Sequence, residues 1–157
     1  MIEFVRMSEG KFNSYFKEAS RKYAEEKVKA GNWSKENAFE LAKQTMKKLL
    51  PEGINTKTHH LYSIDDKESN KRIGIIWFKI NENGLSNQQM FLYDIVINEK
   101  DRGKGFGTQT MEKLEEKAKE LKCDKILLHV FGHNNSAIAL YKKMGYKITN
   151  LMMSKEI

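Results

Sequence analysis

Between Lys100 and Thr108 the chain reads KDRGKGFGT, with Gly103, Gly105 and Gly107 set among Lys100, Arg102, Lys104 and the single aromatic Phe106. One chemistry that uses such a segment is base stacking: Lys104 to Gly107 matches the opening of an RNA-binding strand. That strand continues Phe-Val-x-Phe, because its aromatics form the stacking platform. Here Thr108, Gln109, Thr110 and Met111 follow and lead into a helix, so the platform is missing. The other chemistry is anion binding. Glycines let backbone amides approach a phosphate, and free N–H groups at a helix start favour negative charge. Arg102 and Lys104 add charge and Thr108 a hydroxyl. Neither GxxxxGK[ST] nor GxGxxG is present, since the third glycine comes one residue early. From this segment alone, a phosphate cradle and a plain glycine turn both stand.

The elements that must position this loop are legible from periodicity. Residues 2–7, IEFVRM, read as a short strand. Ser8 is placed to cap a helix reaching about Ala30, with Phe12, Tyr15, Phe16, Ala19 and Tyr23 as its core face. Gly31 and Asn32 stop it. Ser34 is placed to cap a second helix whose apolar face is Phe39, Leu41, Ala42, Met46, Leu49 and Leu50, ended by Pro51. The period then changes: HHLYSID, IGIIWFKI and QMFLYDIVI read as a meander of three strands, with turns at Asp66–Asn70 and Asn81–Asn87. After the glycines, Met111, Leu114, Ala118 and Leu121 mark an amphipathic helix. KILLHVF is a strand, NNSAIALYKKM a helix with an Asn cap and Gly145 at C′, and YKITNLMMSKE a closing strand or hairpin half. No repeat or linker interrupts the chain, so residues 1–157 read as one α+β domain.

Bulk properties narrow the class. A chain of 157 residues with 39% hydrophobic and 31% charged residues is long enough to bury a core. No apolar run approaches the ~20 residues that span a bilayer. The first residues carry no signal-peptide core, and the lone Cys123, read as a half-buried thiol at a helix end, can form no internal disulfide. A cytoplasmic location follows. The net charge of +7 favours anionic partners without naming one. No His/Cys/Asp spacing points to a metal.

The spacing Arg102-x-x-Gly105-x-Gly107 has a second half downstream. IVINEKDRGKGFGTQTM resembles the acetyl-CoA motif of the GNAT superfamily of N-acetyltransferases, [RQ]-x-x-G-x-[GA] between the fourth strand and third helix. HVFGHNNSAIALYKKMGYK is similar to that family's second signature, Asn-x-x-Ala-x-x-Leu-Tyr followed by a Gly-aromatic pair, with Asn134, Ala137, Leu140, Tyr141, Gly145 and Tyr146 in place. The order of elements agrees along essentially the whole chain, and residues 23–64 also resemble a bacterial subgroup of the family.

The resemblance implies a three-layer fold with a mixed, mostly antiparallel sheet of about six or seven strands, about four helices, and a splay between strands four and five. It implies acetyl-CoA as cofactor and an amine as acceptor, with no nucleic-acid or membrane partner and a homodimer among the admissible assemblies. Backbone amides across Arg102, Gly103, Lys104, Gly105, Phe106, Gly107 and Thr108 would hold the pyrophosphate. Ile95, Val96 and Ile97 would pair with the pantetheine arm like an added strand, and Asn134 would contact it. A bulge in strand four opens the cleft. The implied reaction is direct attack of the amine on the thioester through a tetrahedral intermediate, its oxyanion held by a strand-four amide. Tyr141 would lie near the sulfur and protonate the leaving thiolate.

The base is less determined. Many members carry a glutamate early in strand four, where this chain has Phe91. Asp94 remains on that strand as a base acting through water or as a binder of a cationic acceptor. His129, flanked by Leu128 and Val130, could shuttle protons. Trp77, Tyr93 and His60 are candidates for the acceptor pocket, with sheet packing as the alternative for the aromatics; His59 and His133 read as surface or capping groups. A protein or peptide acetyltransferase and a catalytically silent acyl-CoA-binding module are the competing functions.

Overall fold

The structure is a computed structural model that describes residues 1–81 and 88–157; the expected turn after Asn81 falls outside them. The elements run β1 (Ile2–Arg6), α1 (Glu9–Lys29), α2 (Ala38–Leu49), β2 (His59–Asp66), β3 (Lys71–Asn81), β4 (Gln88–Ile97), α3 (Phe106–Glu120), β5 (Cys123–Leu128) and α4 (Asn135–Lys143). The strands lie in the order β1-β2-β3-β4-β5. Neighbours from β1 to β4 are antiparallel and β5 joins β4 in parallel. Helices cover both faces, as the resemblance implies. The sheet has five strands among the described residues rather than six or seven: residues 146–156, expected as a closing strand or hairpin half, join no strand of the sheet.

Strand alternation sends residues to two separate cores. On one face Ile64, Ile76, Phe78, Met90 and Leu92 pack with Met111, Leu114 and Ala118 of α3 and Tyr141 of α4. On the other, Leu61 and Trp77 pack with Phe12 and Tyr15 of α1 and with Met46 and Leu50 at the end of α2. Ser8 caps α1 as its position suggests, its hydroxyl accepting the Lys11 N–H at 3.2 Å. The cap of α2 differs from expectation. Asn37 occupies it, while Ser34 closes a turn by accepting the Ala38 N–H through its carbonyl at 3.1 Å. The buried stripe of α2 is Ala38, Ala42, Met46 and then Leu50, leaving Phe39 and Leu41 exposed. Small residues explain this: Ala24 of α1 meets Ala38 and Ala42, so the two helices sit too close to admit larger side chains there.

The start of β3 and the end of β4 are clamped together. The Asn98 N–H donates to the Ile73 carbonyl at 2.8 Å, and the Asn98 side-chain amide donates to the Arg72 carbonyl at 3.0 Å. Gly74 lies in this clamp, where a Cβ would stand 2.3 Å from the Val96 carbonyl oxygen. Gly74→Ala is therefore expected to force the strands apart and cost about 1–3 kcal/mol, as overpacking does. A urea titration with a lower midpoint and an unchanged slope would show it.

Candidate active site

The site begins with one extra residue. Along β3 and β4, Trp77 pairs with Asp94 and Phe78 with Leu92, so Tyr93 has no partner and forms a bulge. Strict alternation from Leu92 would send Asp94 to the α3 face. The bulge turns it to the α1 face beside Tyr93, whose ring stacks on Trp77 with centroids 4.6 Å apart. The same residue ends the pairing of β4 with β5. The two strands pair from Gln88–Cys123 to Leu92–Leu128, with one register shift after Gln88 that leaves Asp124 without a partner, and beyond that β4 continues to Ile97 without β5. The edge from Tyr93 to Ile97 is thus open on that side among the described residues. This is the splay the resemblance implies.

Helix α1 crosses that gap. The Tyr15 hydroxyl donates to the Asp94 carboxylate at 2.7 Å. About 12 Å further along the helix, Tyr23 packs against Phe131, and Glu26 pairs with His133. The helix therefore touches β4 on one lip and the segment after β5 on the other. Burial raises the Asp94 pKa above the usual carboxylate range, although the Tyr15 hydroxyl, Lys22 and the Ile95 N–H pull against it. Burial, with Asp94 adding to it, lifts Tyr15 well above an ordinary phenol, so it stays a donor.

Tyr141 lies on the α4 side of the gap. Burial and then the Asp94 charge push its pKa up to about 12, which keeps its proton in place at neutral pH. Its position is fixed by the end of its own helix. Gly145, at φ +91°, lets the Tyr146 N–H reach the Tyr141 carbonyl at 2.9 Å and the Gly145 N–H reach Lys142 at 3.0 Å. Asn134 caps the other end of α4, its side-chain oxygen accepting the Ala137 N–H at 3.3 Å.

The glycine segment joins the end of β4 to α3. Gly103 and Gly105 adopt φ of +72° and +83°, and nothing lies within 4 Å of where a Cβ would sit on either. Gly105 is the N-cap, and α3 starts at Phe106. The amides of residues 103–108 donate to no partner among the described residues, as expected for a helix start left open to an anion. The Arg102 guanidinium turns back and donates to the Ile97 carbonyl at 3.0 Å, which ties the loop to the open strand. These groups fit a diphosphate, which needs clustered N–H donors and room for close approach.

Not every candidate converges. His129 lies just past β5 rather than on it; its ring meets Phe131 edge-on at 5.0 Å, and burial followed by Lys27 lowers its pKa, so it is neutral near pH 7. Trp77 is 3% exposed and belongs to the α1–α2 core, with only Tyr93 of the pair reaching partial exposure. His60 stacks on Phe78 at 5.0 Å, on the opposite face of the sheet from Trp77 and Tyr93. His59 is the histidine beside them: it accepts the Trp77 indole N–H at 3.0 Å, and burial brings its pKa down to about 4. Cys123 opens β5 rather than ending a helix. Tyr15, read from periodicity as core, is buried and also holds Asp94. No spacing rule could find it, because its partner lies 79 positions away.

A model of the acetyltransferase (GNAT) family matches residues 17–146, from the middle of α1 through the bulged strand and the glycine loop to just past α4. This chain belongs to the GNAT family. It is an acyltransferase by that membership. YycN of Bacillus subtilis, an uncharacterized N-acetyltransferase, is 39% identical over 156 residues, 99% of each chain. YdgE of the same organism, also an uncharacterized N-acetyltransferase, is 32% identical over 152 residues, 96% of this chain and 95% of its own. A crystal structure of YycN superposes with a TM-score of 0.94 over 100% of this chain and 99% of that one, at 38% identity. Glucosamine-6-phosphate N-acetyltransferase of Arabidopsis thaliana shares the fold at 18% identity and a TM-score of 0.58, over 99% of this chain and 98% of its own.

Asp94 carries a stability cost that has a definite pH dependence. Its folded pKa lies above its unfolded one, so the stabilising contribution is full below the unfolded value and is lost as pH rises through the folded value. Asp94→Asn keeps an oxygen for the Tyr15 hydroxyl and removes the buried charge. It is expected to melt a few degrees above the parent near neutral pH. That margin should shrink as pH falls into the ordinary carboxylate range, which a series of melts across pH would show.

Proposed function

We propose that this chain binds acetyl-CoA along the open edge of β4 and transfers the acetyl group to an amine by direct attack. The observation that carries the reading is the parting of β4 from β5 after Leu92 and Leu128, with the open-amide glycine loop at the end of the freed strand. The diphosphate would rest on the amides from Arg102 to Thr108, and the pantetheine arm would add to the edge at Ile95–Ile97. Asn134 has its side-chain amide group left over from capping to meet that arm.

The chain's own residues then divide the proton work. An amine acceptor arrives mostly as ammonium and must lose a proton before it can attack. Asp94, buried and raised in pKa, is the group to take it, directly or through water. An amide on the free edge near Tyr93 would receive the charge that develops on the carbonyl oxygen. As the carbon–nitrogen bond forms and the carbon–sulfur bond breaks, Tyr141 supplies a proton to the departing sulfur. The second proton leaving nitrogen restores Tyr141 through solvent. A phenol with a pKa near 12 holds its proton until a strong base such as a thiolate is being generated beside it. The aromatic wall of Tyr93 and Phe91, 4.7 Å apart, suits a cationic amine with an organic side chain. A cytoplasmic location accompanies this reading, since acetyl-CoA is an intracellular metabolite.

Acetyl-CoA should raise the melting temperature, as any ligand specific to the native state does. Gly105→Asp should abolish that rise by filling the loop with side chain and negative charge; a full rise in the variant would rule out the loop. The acceptor is found by a thiol-release assay over polyamines, amino acids, aminoglycosides and peptides. With an accepted amine in hand, Tyr141→Phe is expected to lower kcat by about 10²-fold, the lower range for general acid catalysis, with KM for acetyl-CoA little changed. An unchanged kcat would move the acid elsewhere.

A further inference from the structure

Acetyl transfer as proposed leaves a buried hydroxyl beside the site without a task. Tyr15 is 5% exposed and packs in the core of Phe12, Met46, Leu50, Leu61 and Trp77. Filling that core takes a ring and no oxygen, as Phe12 and Phe16 show on the same helix. The Tyr15 oxygen is nevertheless there, and it donates to Asp94 Oδ2 at 2.7 Å. The helix fixes where this oxygen lies, because Tyr23 against Phe131 and Glu26 with His133 anchor α1 to the far lip of the gap. Asp94 is held less firmly by its own strand. It follows the bulge at Tyr93, where β4 has already lost β5 as a neighbour. A short side chain at such a point has several rotamers open to it, and the bond to Tyr15 selects one.

The titratable and charged groups that face Asp94 are Tyr15 and Lys22 from α1 and Tyr141 from α4, while β3 sets the uncharged Trp77 opposite it. Burial raises the Asp94 pKa. Of the influences that bring it down, the Tyr15 hydroxyl is the largest, ahead of Lys22 and the Ile95 N–H. Tyr15 does not compete for the proton, since burial and then the Asp94 charge lift its own pKa well above an ordinary phenol. The bond therefore favours the ionised carboxylate.

We propose that Tyr15 is a positioning residue for the transfer: its hydroxyl fixes the Asp94 carboxylate where the strands part and keeps it ready to take the proton of the acceptor ammonium. The inference rests on the reading of Asp94 as the base. In the step, an N–H bond of the ammonium breaks and an O–H bond forms at Asp94 Oδ1. Tyr15 keeps its own proton and its bond to Oδ2. Neutralising Asp94 also removes the charge that helps to hold the proton on Tyr141. Tyr141 becomes a better donor just as the sulfur departs, so proton uptake on the β4 side is coupled to proton release on the α4 side.

Tyr15→Phe keeps the ring and deletes the bond. In protein labelled with carbon-13 at aspartate Cγ, with Asp94→Asn to identify the signal, the Asp94 carboxyl should titrate at higher pH in Tyr15→Phe than in the parent. In the parent itself, the Tyr15 Cζ signal should follow the Asp94 titration. Neither measurement needs cofactor or amine. With an accepted amine, kcat of Tyr15→Phe should fall about tenfold on the acid side of its pH profile, the lower end for a hydrogen bond to a charge. It should recover toward the parent as pH rises, with KM for acetyl-CoA unchanged. An Asp94 titration that ignores the substitution, or a Tyr15 signal blind to Asp94, would overturn the inference. A loss of kcat equal at every pH would overturn it too, by reducing Tyr15 to packing. Full turnover by Asp94→Asn would overturn it by removing the base on which Tyr15 acts. The absence of any melting shift with acetyl-CoA would strike the reading of the site and the inference together, whereas an unmoved titration beside a normal melting shift would strike the inference alone.

Discussion

One residue too many in β4 is the constraint on which this structure turns. A bulge at Tyr93 does two things that no substitution in a regular strand could do together. It stops β4 from following β5, which leaves a length of strand with its hydrogen-bonding groups free. It also reverses the facing of everything after it, so that Asp94 leaves the larger core and meets α1. Cleft and carboxylate thus have a common origin, and their relative position cannot drift.

A gap in a sheet is costly unless something spans it. Here α1 does so, with Tyr15 on β4 and with Tyr23 and Glu26 on the segment beyond β5. The spacing is set by helical rise, which makes the helix a rigid strut across the opening. Its contact at Asp94 is polar and buried. Removing a carboxylate from water is unfavourable, and a single phenolic hydrogen bond does not fully offset it. The raised pKa is the visible residue of that imbalance. In the proposed reaction that cost is what equips Asp94 to accept a proton, and the rest of the fold supplies the stability to carry it.

Much of this was readable from the chain. The glycine spacing at 103–107, the Asn134 cap and the Gly145 terminator are local signals, and local signals survive in sequence because they depend on neighbours only. The bulge was not readable from alternation, since QMFLYDIVI reads equally well as a regular strand; only the resemblance to a family implied it. Tyr15 sits at a helical core position like its neighbours, and its special partner is a matter of tertiary placement. The facing of α2 was missed at two positions for a related reason. Ala42, Met46, Leu49 and Leu50 face inward as expected, but hydrophobicity also favoured Phe39 and Leu41, while close packing of alanines favoured Ala38. The closing strand was legible as a strand pattern, but a pattern cannot say whether the fold brings that segment to an edge.

The sheet divides the apolar interior into two cores that share few side chains. Met111, Leu114 and Tyr141 stabilise the half that carries the glycine loop, while Phe12, Met46 and Trp77 stabilise the half under α1 and α2. Substitutions in one are therefore largely uncoupled from the other. A lineage can rework the α1–α2 layer, and with it whatever lies against Tyr93, without disturbing the α3 core into which the loop leads. The architecture permits new specificities to be tried at low risk to the part that stays constant. It also means that divergence should accumulate unevenly along this chain, faster in its first third than in the segment from β4 to α4.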